Sequence, residues 1–257
     1  MHYRLKKALV FVLPVAILAF FLKAFFYPVP AYAEGLITNR TGTIRITRPD
    51  GVVSAVAKDK PLGLIPSGST VEVLSGSIDV APTEGFIQIV VGDSVAMIDA
   101  GERITASVDP KTKMANFSIA AGEVSIITGN TTTTMRTGQE VVIGLDKFTG
   151  TVKVRSISGN IDTVTAGVQA LILQGGLVQI RVDSQTRQVH IASTAGMVEV
   201  TSPEGARIIL ARGESKDIQG SVVGEVLTFP AEAAEIPTIP LEEPAEPEVP
   251  EASPYRP

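Results

Sequence analysis

The sequence contains no cysteine and no tryptophan, and its only histidines are His2 and His190. Without thiols there can be no disulfide, no zinc–thiolate or iron–sulfur centre, and no cysteine nucleophile. A single histidine in the body of the chain leaves almost no room for a multi-histidine metal site or for histidine-based catalysis. Aromatic residues are scarce as well. Past the first 33 residues they number only Phe86, Phe117, Phe148, Phe229 and Tyr255. Sugars and single-stranded nucleic acids are usually gripped on exposed stacking platforms, and four isolated Phe are assigned instead to the core. Basic charge is also short, with a formal net charge of −5. A nucleic-acid binder needs a basic footprint that releases phosphate counterions, so nucleic acid is excluded as a partner.

Charge is distributed unevenly along the chain. Arg4, Lys6, Lys7 and Lys23 lie within residues 1–33, which hold no acid. Arg4, Lys6 and Lys7 precede an apolar run from Ala8 to Leu22. Pro28 and Pro30 then lead into Ala31-Tyr32-Ala33. This is the order of a secretory signal: basic region, apolar region, small-x-small cleavage site at Ala31 and Ala33. Counting through Lys23 gives the rival reading, an uncleaved signal anchor whose lysine snorkels. Either way the body is exported, to the periplasm or outer cell envelope of a bacterium. The chain would touch a membrane only through this segment if it is left uncleaved.

From Ile44 to Phe229 short aliphatic alternations recur between glycine-bearing turns, as in Ile44/Ile46, Val124/Ile126 and Val178/Ile180/Val182. A period of two with β-branched residues is the pattern of half-buried strands. The fold class is therefore all-β: an elongated β-sandwich or β-roll of stacked short antiparallel strands, with a sandwich, jelly roll or solenoid as its variants. The expected organisation is a signal or anchor at 1–33 and a β domain at 34–149. A second β-rich region at 150–229 continues the first, and a tail occupies 230–257. The tail has eight Pro and seven Glu and reads as disordered. A Gly-x-aliphatic-x-aliphatic element recurs at Gly42, Gly76, Gly122, Gly150, Gly176 and Gly196 without a strict period. Phe86, Phe117 and Phe148 stand 31 residues apart among unmatched neighbours. Thr131 to Thr134 reads as an edge strand or loop, and Ser75-Gly76 as a turn.

Three stretches carry a family resemblance: Ile65-Pro66-Ser67-Gly68-Ser69-Thr70-Val71-Glu72-Val73, then Gly92-Asp93-Ser94-Val95, and Phe117-Ser118-Ile119-Ala120-Ala121-Gly122-Glu123-Val124-Ser125-Ile126. They resemble the periplasmic β domain of FecR-type proteins, with a weaker echo from Gly196 to Ile218. The resemblance spans about residues 42–219. It implies an all-β envelope domain without catalytic residues. Only Met1 to Lys7 precede the apolar run, so the cytoplasmic anti-sigma segment of the family's signalling members has no counterpart here.

Chemistry is hard to find. Gly63 to Thr70 has the glycine spacing of a phosphate loop, but Ser69 stands where the lysine is required. There is no Gly-x-Ser-x-Gly elbow. Pairs such as Asp93/Asp99 and Asp79/Glu84 lack the dense spacing of a calcium loop. His190 lies between Val189 and Ile191, so strand alternation turns it to solvent. The expectation is a non-enzymatic module without cofactor or metal. It acts as an envelope scaffold or as a protein-binding or sensing element, its partner an envelope protein or cell-wall component. Tyr255 and Arg256 are the docking candidates in the tail. The aliphatic run Val168 to Leu173, followed by Leu177 to Val182, suggests the alternative of a lipid-handling β-roll of the lipopolysaccharide-transport type. That alternative needs an open apolar groove.

Overall fold

The structure, a computed structural model, describes residues 32–33, 38–56 and 65–221. Apart from Tyr32–Ala33, the expected signal and the tail with Tyr255 and Arg256 lie outside these residues, as do Ala31 and Phe229.

Every alternating stretch within the described residues becomes strand, and the protein is all-β. A short β1 (Tyr32–Ala33) pairs with β4 (Ile65–Pro66). All other strands join one sheet that divides at β5 (Thr70–Val80). Along its length β5 pairs antiparallel with β2 (Thr38–Thr47), whose other edge carries β3 (Val53–Val56). On its far side, the first half of β5 runs parallel to β6 (Phe86–Val91), and the second half runs antiparallel to β8 (Arg103–Val108). Two arms leave from there. Arm 1 continues with β8 and β9 (Ala115–Ala121), β12 (Glu140–Asp146), β13 (Thr151–Ser158), β16 (Leu177–Val182), β17 (Gln188–Ala195) and β20 (Ser215–Gln219). Arm 2 continues with β6 and β7 (Ser94–Asp99), β10 (Glu123–Thr128), β11 (Thr131–Arg136), β14 (Ile161–Thr165), β15 (Val168–Ile172), β18 (Val198–Thr201) and β19 (Arg207–Leu210).

The chain lays down one hairpin in arm 2, crosses, lays down one in arm 1, and crosses back. Each hairpin pairs with the preceding one in its own arm: β7 with β10, β11 with β14 and β15 with β18; β9 with β12, β13 with β16 and β17 with β20. This is a tandem repeat, and its period is 37 residues. Gly85, Gly122, Gly159 and Gly196 open successive units, each with positive φ. A Cβ on Gly122, Gly159 or Gly196 would fall 2.7–2.9 Å from Glu102, Gln139 or Gly176, residues of the preceding unit that are themselves 37 apart. The glycines let one unit seat on the last.

The period also organises the core. Ile87, Val124, Ile161 and Val198 form one buried column; Ile104, Val141 and Val178 form a second; Phe117, Val154 and Ile191 a third. All belong to one continuous cluster between the arms. Sequence similarity between units is slight because any aliphatic side chain of suitable volume serves a column.

Three expectations are corrected. Thr131 to Thr134 lies in a central strand, with Thr131 and Thr133 buried. A hydroxyl pair makes this tolerable at Thr131, whose Oγ1 lies 2.8 Å from that of Thr165, as Ser94 and Thr128 pair at 2.7 Å in the neighbouring position; the buried Thr133 Oγ1 has no partner among the described residues. Ser75-Gly76 lies inside β5, where β2 and β5 shift register. A Cβ on Gly76 would collide with the Thr41 carbonyl, so glycine permits a close backbone approach there. Of the Phe residues, Phe117 is core, whereas Phe86 is partly exposed and Phe148 is fully exposed at the tip of the β12–β13 loop. Their 31-residue spacing has no structural counterpart. The position 149/150, where two β regions adjoin in the sequence reading, falls within that same hairpin loop, and pairing runs straight across it.

Candidate functional site

Because alternate residues of each strand fill the core, function falls to the outer faces. On arm 1 the register Arg181↔His190↔Asp217 sets three polar side chains in one row across β16, β17 and β20. Val189 and Ile191 point inward and are buried, so His190 faces out as its neighbours dictate, with 40% of its side chain exposed. Its Nδ1 lies 2.7 Å from Asp217 Oδ1, a pair that fixes the ring plane. Thr151, Gln179, Arg181 and His190 enclose a shallow open depression of about 190 Å³. Beside it, Lys153 stands directly across from Gln179, and Arg155 across from Leu177. Among the described residues, none of Lys153, Arg155 and Arg181 forms an ion pair. Arg181 does bias the nearby Asp183 carboxyl downward, as Lys153 does that of Asp146; both carboxyls lie below their ordinary range chiefly because backbone N–H groups bond them.

These groups are poorly arranged for acyl transfer. Thr151 and His190 lie two strands apart, roughly 10 Å at the usual strand spacing. No proton could pass directly between them. What converges instead is a set of hydrogen-bond donors: a guanidinium, an amide, a hydroxyl and an imidazole beside an ammonium. Among the described residues no three His, Asp or Glu side chains gather closely enough to hold a metal ion.

Arm 2 presents a different surface. Its register links Val90↔Val95, Val95↔Ile127, Ile127↔Thr132 and Thr132↔Val164, an apolar and β-branched row crossing five strands. Ile127 and Val164 are exposed by 37% and 39%. Val90, Ile127, Val164 and Thr201 follow the 37-residue period, so the repeat itself generates the row. Met97 and Ile209 add exposed apolar surface to the same arm.

The aliphatic run 168–182 lies elsewhere than a groove would require. Val168, Ala170, Ile172, Val178 and Ile180 are all at most 2% exposed and fill the space between the arms. Of the positions singled out by sequence, Ala33 lies in β1, while Ala31, Tyr255 and Arg256 are outside the described residues. Sequence reading placed His190 correctly but missed Thr151, Lys153, Gln179, Arg181 and Asp217 as its companions. Alternation alone turns each of them to solvent; Gln179 and Arg181 meet His190 across the β16–β17 hairpin, whereas Thr151, Lys153 and Asp217 reach it through pairing between strands far apart in sequence.

No protein-family model and no curated protein matches the chain. Among solved structures, the TCP10 domain of Danio rerio CPAP, in complex with a peptide of Danio rerio STIL, aligns over 70% of this chain and 100% of its own, at 14% identity and a TM-score of 0.13.

Proposed function

We propose that the protein is an exported, non-enzymatic β module of FecR-like character that serves as a scaffold or protein-binding element in a bacterial envelope. The observation that carries this reading is the apolar row Val90–Val95–Ile127–Thr132–Val164 on the outer face of arm 2. Water-facing positions of a strand are ordinarily polar, and a contiguous exposed apolar patch marks an interaction surface. The repeat holds the row on paired strands rather than loops, so a partner would meet a preorganised surface. The signal-like N-terminus and the resemblance at 65–73, 92–95 and 117–126 supply the envelope context. With the aliphatics of 168–182 consumed by the core, lipid carriage has less support than protein binding.

The test is fractionation and capture with full-length tagged protein, comparing wild type with I127K/V164K, whose changes lie on the exposed face. The reading expects wild type in the envelope fraction, holding a specific protein that the double variant loses. Retention in the cytosol, or identical capture by both forms, would overturn it.

A further inference from the structure

We propose that the depression on arm 1 is a binding site for a phosphate monoester, held by Arg181, His190, Gln179 and Thr151 with Lys153 at its border. This goes beyond the protein-binding reading and does not depend on it, since the site lies on the other arm.

The repeat supplies the main argument. Residues that a tandem fold requires recur at each period, so positions that do not recur are free of the framework. Arg181 is preceded 37 residues earlier by Gly144 and 74 earlier by Ser107. Gln179 is preceded by Val142 and Thr105, and His190 by Lys153 and Asn116. The fold closes equally well around glycine, serine, valine and asparagine, so this donor set is not a condition of folding. Gln179, Arg181 and His190 come from the unit that opens at Gly159, and Thr151 and Lys153 from the unit before it, in a chain whose overall charge is negative.

The chemistry selects the ligand. A guanidinium and an ammonium without ion-pair partners among the described residues attract an oxyanion, and the guanidinium can bond two of its oxygens at once. The ring of His190 donates Nδ1–H to Asp217 Oδ1 at 2.7 Å, leaving Nε2 without a partner among the described residues. A neutral ring there accepts the proton of a monoprotonated phosphate ester; a cationic ring donates to the dianion. A carboxylate or sulfate offers only the second mode at neutral pH, which favours phosphate. Ala192 stands directly across from Gln179 in the register, so the position beside the depression carries only a methyl group. A volume of about 190 Å³ holds a phosphoryl group together with part of the ester it caps.

Phosphate monoesters reach such a site either as small soluble esters or as lipid headgroups, and the test separates them. The full chain, with its imidazole carbons labelled, is titrated with glycerol phosphate and followed by NMR at His190; R181Q and K153Q are titrated alongside. Flotation with phosphatidate vesicles against phosphatidylcholine vesicles forms the second arm. The proposal expects a saturable shift at His190 with a millimolar midpoint, weakened at least tenfold in R181Q and less in K153Q. Added Arg181-dependent flotation on phosphatidate assigns the source to lipid, and its absence assigns it to soluble esters. A His190 signal that does not saturate, or that R181Q leaves unchanged, overturns the site. So does flotation on phosphatidate without any response to the soluble ester.

Discussion

Asp146 and Asp183 do the same work one period apart. Each turns Oδ1 onto two backbone N–H groups of its own hairpin loop, those of Phe148 and Thr149 for Asp146 and those of Gln185 and Thr186 for Asp183. Asp109 does so one unit earlier, with Lys111 and Thr112. Such Asx turns shape the loop while satisfying donors that no strand can reach.

Those bonds hold the three carboxyls below the usual carboxylate range, led by the N–H of Lys111 for Asp109, of Phe148 for Asp146 and of Thr186 for Asp183. A depressed value contributes stability that is present above the unfolded carboxyl value of about 3.9 and is lost as pH falls through the folded values. The triple variant D109N/D146N/D183N keeps the acceptor oxygens but cannot titrate. Urea denaturation between pH 6 and pH 2 is expected to show a shallower acid-side fall in stability for the triple variant than for wild type.

Glu102 titrates in the opposite sense. Burial first, then the nearby Asp99 and Glu123 carboxylates, lift its carboxyl above the ordinary range, against the lowering effect of the Asp99 and Glu123 backbone N–H groups. A raised acid costs stability as pH climbs through the interval between its unfolded and folded values. Gln139 occupies this place one unit later and accepts from the Arg136 N–H as Glu102 accepts from that of Asp99. E102Q is therefore expected to stabilise the protein slightly at neutral pH and to lose that advantage near pH 3. Equal effects at both pH values would count against the account.

The period also identifies strained positions. Lys113, Gly150 and Arg187 close equivalent loops at φ of 59°, 65° and 59°. Only the middle unit uses glycine, and a side chain in the left-handed region costs roughly 1 kcal/mol. K113G and R187G should each raise stability by about 0.5–1 kcal/mol in chemical denaturation, after the loss of chain entropy in the unfolded state is offset.

Faces should differ sharply in tolerance. Val124 is fully buried in β10, and V124D would bury an unpaired charge, costing about 4 kcal/mol or more and abolishing the cooperative melt. H190A removes an exposed contact and should shift stability by less than about 0.5 kcal/mol.

The all-β class was legible because alternation is local: each strand announces its buried face within five or six residues. His190 was legible for the same reason. The period was harder to see because two kinds of glycine were pooled. Gly122 and Gly196 open units, whereas Gly42 and Gly76 permit the close contact of β2 with β5, so their separations scatter. The signal was nevertheless present in Gly85, Gly122, Gly159 and Gly196, and again in Asp109, Asp146 and Asp183 with Thr112, Thr149 and Thr186. Buried threonines misled because hydroxyl desolvation argues for exposure until the partner hydroxyl, 34 residues away, is known. In the donor cluster around Arg181, the approach of His190 is local to one hairpin, but the arrival of Thr151, Lys153 and Asp217 depends on which distant strands pair, and nothing local in the sequence states that.

The central claim is that 37 residues form one interchangeable unit, and excising one tests it most directly. Deleting residues 122–158 would bring β7 against β14 and β9 against β16 in native register, with Ser94 facing Thr165 as it now faces Thr128. Deleting residues 122–152, the 31-residue interval of the phenylalanines, would break every one of those pairings. Far-ultraviolet circular dichroism with thermal melting should show the 37-residue deletion folded, rich in strand and cooperative, at a lower Tm than wild type, and the 31-residue deletion unfolded or aggregated. If the 37-residue deletion also loses its strand signal and its cooperative melt, the unit is not interchangeable and the repeat account is contradicted.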